Sequence, residues 1–171
     1  MAGAGKTQVL ACRAVNAQAR TGSKVLILTY NITLLNYIKH KMKQLPADFS
    51  WGQFVISNYH QFFKSQANNF GHRPSLGDWD NDNYFESDKE KTPRFDTIIF
   101  DEAQDYREEW FRLIQKYFLS TEGEFVVFGD GRQNIENKKQ TVLPLFLVRK
   151  VIGRHFRKEL ERILSVPKMK C

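Results

Sequence analysis

The sequence predicts an α/β fold, a mainly parallel sheet with helices on both faces, and three observations carry that reading. Four short apolar runs rich in Val, Ile and Phe read as buried strands: KVLILTY (24–30), QFVISNY (53–59), TIIFDE (97–102) and EFVVFGD (124–130). Segments with apolar residues at three and four spacing, Thr7 to Arg20, Thr33 to Gln44 and Tyr106 to Phe118, read as helices and alternate with those strands. Three of the strands end in polar residues, where a sheet opens to solvent, and such folds bind ligands beyond the carboxyl ends of their strands.

Two stretches interrupt the alternation and read as connections. Residues 64–95, rich in Asn, Asp, Gly and Pro, predict a long polar excursion, and residues 132–152 lead to a last helix near Arg154 to Leu164. The chain thus divides into a first unit, residues 1–136, and a basic segment, residues 137–171. At 171 residues, 42% hydrophobic and 13% aromatic, it can bury a real core. No run of 18 apolar residues and no charged-then-apolar leader is present, so no membrane partner is expected and the reading is cytoplasmic, that is, intracellular. Cys12 and Cys171 match no metal or redox spacing, which suits a reducing compartment.

The net charge is +7. Residues 137–171 carry ten Lys or Arg against Glu159 and Glu161, a balance of +8, which leaves −1 for residues 1–136. A stretch such as RKVIGRHFRKELER suits nucleic-acid phosphates and equally suits a solvated helix face.

The chain opens MAGAGKT, the end of the phosphate-binding pattern G-x-x-x-x-G-K-[ST], whose first glycine would fall before Met1. Small residues at Ala2, Gly3, Ala4 and Gly5 let backbone N–H groups converge on phosphate oxygens. Lys6 can reach the β and γ phosphates, and the Thr7 hydroxyl can hold Mg²⁺ where a helix dipole favours anions. Further on, TIIFDEAQD ends an apolar strand in Asp101 and Glu102, one carboxylate placed for Mg²⁺ and the next to polarise an attacking water. A flexible Gly/Ala start and a strand ending in surface acids are the bland alternatives. The two parts together, in this order, favour a nucleoside triphosphate site. Two other patterns carry nothing. DWDNDNYFESDK has Asn83 where a calcium loop needs Gly and Lys89 where it needs Glu, and His40, His60, His72 and His155 share no zinc spacing.

DEAQD is the form this motif takes in superfamily 1 helicases of the UvrD/Rep type, and the chain resembles them elsewhere. AGAGKT resembles the end of their first motif, LILTYNITLLNYI motif Ia, ISNYHQFF motif Ib and VVFGDGRQNIE motif III, in order from Ala2 to Glu136. The resemblance implies their first RecA-like domain: a P-loop NTPase three-layer fold lacking the first P-loop strand, with ATP and Mg²⁺ as cofactors. Single-stranded DNA is the implied partner, with RNA left open. Carried over by position, it implies Lys6 and Thr7 at phosphate and Mg²⁺, Asp101 at Mg²⁺, Glu102 as catalytic base and Gln133 as a γ-phosphate sensor. It also implies Thr29, Tyr30 and Asn31 at the end of one strand, and Tyr59, His60 and Phe62 in the next, along the single-strand path. There, aromatic faces stack on bases for roughly 1 to 3 kcal/mol each. Core packing is the competing reading for Tyr59 and Phe62.

Asn58 and Gln61 stand where motif Ib usually has Thr and Ser, and Leu164 and Ser165 stand where motif IV usually has an aromatic–Arg pair. The second RecA-like domain, with an arginine finger worth roughly 10³ to 10⁵ in rate, falls outside the chain. ATP hydrolysis by the chain alone is therefore expected to be slow or absent. The absent strand is expected to lie inside the sheet, so that its neighbours aggregate or recruit another segment. The competing function is a catalytically silent module that keeps the fold and docks on nucleic acid or a partner.

Overall fold

A computed structural model describes residues 5–129 and the backbone of residues 149 and 150. Helix α1 (Lys6–Thr21) buries Leu10, Ala11, Ala14, Val15 and Gln18, the single stripe that a 3.6-residue period allows. It stops at Gly22, whose left-handed φ of 66° aims its N–H at the Gln18 carbonyl, 2.8 Å away. Strand β1 (Val25–Thr29) follows and is buried along its whole length, as a central parallel strand must be. Helix α2 (Leu34–Lys43) returns over the same face as α1, burying Ile38 and Met42.

Strand β2 (Phe54–Asn58) ends earlier than its sequence suggests, and Tyr59, His60 and Phe62 lie not in a strand but in helix α3 (Tyr59–Asn69). The cause is local: Asn58 caps the helix, its Oδ1 accepting the Gln61 backbone N–H at 2.9 Å. Tyr59, Phe62, Phe63 and Ala67 then share one buried face.

Residues 64–95 correct the sequence reading again. Their first part completes α3, and the remainder packs down through short 3₁₀ turns at Leu76–Asp80 and Glu86–Asp88. Phe85 is fully buried against Phe63 and Phe118, and the Thr92 hydroxyl donates to the Tyr117 carbonyl at 2.6 Å. The carboxylates that mimic a calcium loop have protein partners. Asp78 closes a capping box with Ser75, Asp80 meets Arg107 and the Trp110 indole N–H, and Asp82 meets Arg112 at 3.2 Å.

Strand β3 (Phe95–Asp101) leads through a 3₁₀ turn at Ala103–Asp105 to helix α4 (Glu108–Phe118). Tyr106 and Arg107, expected inside that helix, are extended and precede it. Strand β4 (Leu119–Val127) starts five residues earlier than expected, with a register shift against β3 between Phe95 and Thr97. A Cβ at Gly123 would lie 2.7 Å from Leu119 Cδ1 and 2.8 Å from the Ser120 carbonyl, so the irregular stretch needs a glycine there.

The sheet order is β2-β1-β3-β4-β5, the first four strands parallel and β5 (Arg149–Lys150) antiparallel to β4. No gap separates any two of the four parallel strands. The flank of β4 is where Arg149 and Lys150, from the basic segment, pair with Phe125 and Glu124.

Two cores flank the sheet, as the three-layer RecA-like arrangement requires. Leu26, Leu28, Ile98, Phe100 and Phe125 face α3, α4 and the excursion, whereas Val25, Ile27, Ile99 and Val126 face α1 and α2. The alternation is the period of two that strands impose. None of the described helices is long and apolar enough to cross a membrane.

Candidate active site

Parallel pairing puts the ends of β1 and β3 side by side, with Thr29 opposite Asp101. Helix α1 begins at the same rim, so its first turn, Lys6 and Thr7, meets the residues that leave β3. Lys6 Nζ lies 3.9 Å from Glu102 Oε2, with both side chains about one-third exposed. Thr7 is buried.

Glu102 has φ 55°, and among the described residues it is the one non-glycine with positive φ. A left-handed residue of this kind costs on the order of 1–3 kcal/mol. The twist lets consecutive carboxylates leave the strand in different settings. Asp101 is 1% exposed, and its Oδ1 accepts the Glu102 backbone N–H at 3.1 Å. Its Oδ2 is buried with no hydrogen-bond partner among the described residues. Burial, and then the Glu102 charge, push the Asp101 carboxyl up to about 6, while the Glu102 N–H and the Lys6 ammonium pull it down. Gln104 Nε2 donates to Glu102 Oε2, and the Ala103 N–H donates to the Phe128 carbonyl at 2.8 Å, fastening the turn to the end of β4.

This donor set fits a hard cation with a polyphosphate: one buried carboxylate oxygen without a partner, a hydroxyl at a helix N-terminus, and an ammonium beside them. Asp101 and Thr7 are the residues that would hold Mg²⁺. Of the other residues expected at this site, Gly5 precedes α1 as its N-cap, and Ala2, Gly3, Ala4 and Gln133 lie outside the described residues.

The residues expected along a nucleic-acid path divide by burial. Tyr30 is 48% exposed, and Asn31 and His60 are exposed. Asn31 is shaped by its own turn, its Oδ1 accepting both the backbone N–H and the hydroxyl of Thr33. His60 sets its ring edge-on to Trp79 at 5.0 Å and to Trp110 at 4.9 Å, and burial lowers its pKa against the pull of Asp80.

Thr29, Tyr59 and Phe62 are buried. Tyr59 stacks on Trp110, with centroids 4.4 Å apart and planes 7° from parallel, and its hydroxyl donates to the Trp79 carbonyl at 3.1 Å. Phe62 packs edge-on to Phe118 at 4.9 Å. Both rings make the core contacts of the competing reading.

Sequence reasoning passed over two features. Tyr106, Trp79 and Trp110 join Tyr30, Tyr59 and His60 in one aromatic cluster at the rim, although Tyr106 directly follows DEAQD. The second is charge. Residues 1–47 contain seven Lys or Arg and no Asp or Glu, and residues 48–136 balance them at −8. The layer of α1 and α2 is therefore free of acids and carries exposed Arg20, Lys39 and Lys43.

A family model described as an AAA domain matches residues 1–139. Among curated proteins, none matched the chain.

Proposed function

We propose, for a chain that belongs to the AAA domain family, that this is the ATP-binding domain of a superfamily 1 helicase or translocase of the UvrD/Rep type. It binds ATP with Mg²⁺ and takes single-stranded DNA as its partner. The observation that carries the reading is the buried, unpartnered Oδ2 of Asp101 beside the Lys6–Glu102 pair.

In this reading the Lys6 ammonium leaves its long contact with Glu102 for the β and γ phosphates of ATP, which frees the carboxylate. Glu102, held in position by Gln104, accepts the proton of the attacking water. Thr7 and Asp101 would hold Mg²⁺, which neutralises phosphate charge and orients the γ phosphate when bound. A cation beside Asp101 stabilises the ionised carboxylate that burial disfavours. Tyr30, Asn31 and His60 offer the exposed surface for bases and phosphates, with Thr29 hydrogen-bonded to the Asn31 carbonyl and Tyr59 packed against His60 supporting it from beneath.

The test is single-turnover hydrolysis with protein in excess, with and without single-stranded DNA. Hydrolysis that DNA accelerates, and that Glu102→Gln removes while nucleotide binding persists, is the expected result. Equal turnover in wild type, Lys6→Ala and Glu102→Gln would sink the reading.

The acid-free α1–α2 layer favours a second reading, a silent module that docks on nucleic acid through basic surface. DNA binding with a steep salt dependence, indifferent to nucleotide and without hydrolysis in any form, would select it.

A further inference from the structure

We infer that Tyr106 is a positioning residue that ties occupancy of the site at Asp101 to the setting of Tyr30 on the surface offered to single-stranded nucleic acid. The inference rests on the function proposed above, because it connects the two sites named there.

Tyr106 follows the turn that carries Glu102, and its ring is 8% exposed. Among the described residues its hydroxyl is buried with no hydrogen-bond partner, and so is Oδ2 of Asp101. Both belong to the one connection that leads from the end of β3 into α4, closed by the Tyr106 N–H donating to the Ala103 carbonyl at 3.2 Å, and after burial the Asp101 charge is the next cause that pushes the Tyr106 hydroxyl up. A buried, unsatisfied hydroxyl is costly, so the described state keeps Tyr106 in an orientation that its own polar group does not favour. A cation or phosphate arriving at that turn alters what the hydroxyl can pair with.

The ring cannot respond alone. It stands edge-on to Phe100 at 4.9 Å, Trp110 at 5.8 Å, Tyr30 at 5.9 Å and Tyr59 at 6.3 Å, and is tilted against Phe111 at 5.5 Å. Phe100, Tyr59 and Trp110 are held in the core, with Tyr59 and Trp110 stacked on each other. Of these five neighbours Tyr30 alone is exposed, so the displacement has its outlet there. Packed interiors answer a small local change by shifting between discrete arrangements, which gives the coupling its two states.

The test measures binding of a fluorescent oligothymidylate to the full chain by anisotropy, with and without Mg²⁺ and a non-hydrolysable ATP analogue. The ratio of the two affinities is the coupling factor, and linkage requires the oligonucleotide to change nucleotide affinity by the same factor. In wild type a factor of about 5 or more is expected, within the usual range for coupled sites. Tyr106→Phe removes the hydroxyl and keeps the ring. It should bring the factor to near unity while each separate affinity stays close to wild type and the melting temperature is retained or raised. Tyr30→Leu should lose the coupling together with oligonucleotide affinity and leave nucleotide affinity unchanged. An unchanged factor in Tyr106→Phe, or a wild type that binds both molecules without coupling, overturns the inference and leaves the two sites standing. A wild type that fails to bind the Mg²⁺-nucleotide overturns the function proposed above and this inference with it.

Discussion

Lys6 Nζ, at the start of α1, stands 3.9 Å from Oε2 of Glu102, the residue that leaves β3 in a left-handed conformation. Ninety-odd residues of chain separate them, and the parallel sheet brings them to one rim. The pair is partly exposed and long, so it contributes about 1 kcal/mol or less to stability. Lys6→Ala and Glu102→Gln should therefore melt within a few degrees of wild type. Their functional effects should differ: Lys6→Ala loses nucleotide affinity, whereas Glu102→Gln binds nucleotide and loses hydrolysis by about 10²-fold or more. Thermal melts beside nucleotide titrations separate the two.

Asp101 should show the opposite balance. Its folded-state pKa, about 6, lies above the ordinary value, so the folded chain holds this proton more tightly than the unfolded chain does. Its contribution to stability is greatest below about pH 4 and is lost as pH rises through about 6, against the usual direction for a carboxylate. Asp101→Asn removes the buried charge. At pH 8 without nucleotide or cation it should be more stable than wild type by on the order of 1–3 kcal/mol, a gain that vanishes by pH 4. Denaturant melts across that range check it. The same variant should lose the effect of Mg²⁺ on nucleotide binding.

The aromatic residues around the β2–α3 junction and the end of β1 divide into two classes with separable phenotypes. Tyr59→Ala and Phe62→Ala remove buried rings and should cost about 3–5 kcal/mol of stability. Tyr30→Ala and His60→Ala should leave stability within about 1 kcal/mol. If each stacks on one base, either change should weaken single-stranded DNA binding by about 1–3 kcal/mol. Chemical melts and oligonucleotide titrations on the four variants give the comparison.

The boundary between β2 and α3 rests on one side chain. Asn58→Ala removes the acceptor for the Gln61 N–H and should cost about 1 kcal/mol, with Asn58→Asp close to neutral. Hydrogen exchange should show the loss first in the opening turn of α3, before any change in β1.

The strands were readable because a parallel sheet covered on both faces demands continuous apolar runs, and VLILT and TIIF supply them. The meeting of Lys6 with Asp101 and Glu102 at one rim is legible because the residue types at the start of α1 and the end of β3, and their order, are those that phosphate and cation chemistry would require. Helix α3 was not: Tyr59 extends the apolar run of β2, and only the cap at Asn58 followed by the three and four spacing of Tyr59, Phe62 and Phe63 marks the switch. The packing of the excursion is not legible because its polar composition hides Trp79, Tyr84 and Phe85, which attach it to the core. The acid-free first 47 residues are hidden in any sum over residues 1–136, because the acidic stretch after them cancels their charge. Nothing in the local sequence marks Tyr106, because its five aromatic neighbours are drawn from separate parts of the chain.

The decisive measurement is calorimetric titration of ATP into the full chain with Mg²⁺ present and with Mg²⁺ chelated, repeated on Lys6→Ala and Asp101→Asn. One saturable site is expected, tightened by Mg²⁺ in wild type, lost in Lys6→Ala and indifferent to Mg²⁺ in Asp101→Asn. Absence of binding, or binding that neither Mg²⁺ nor these substitutions alter, would contradict a nucleotide site at Lys6, Asp101 and Glu102.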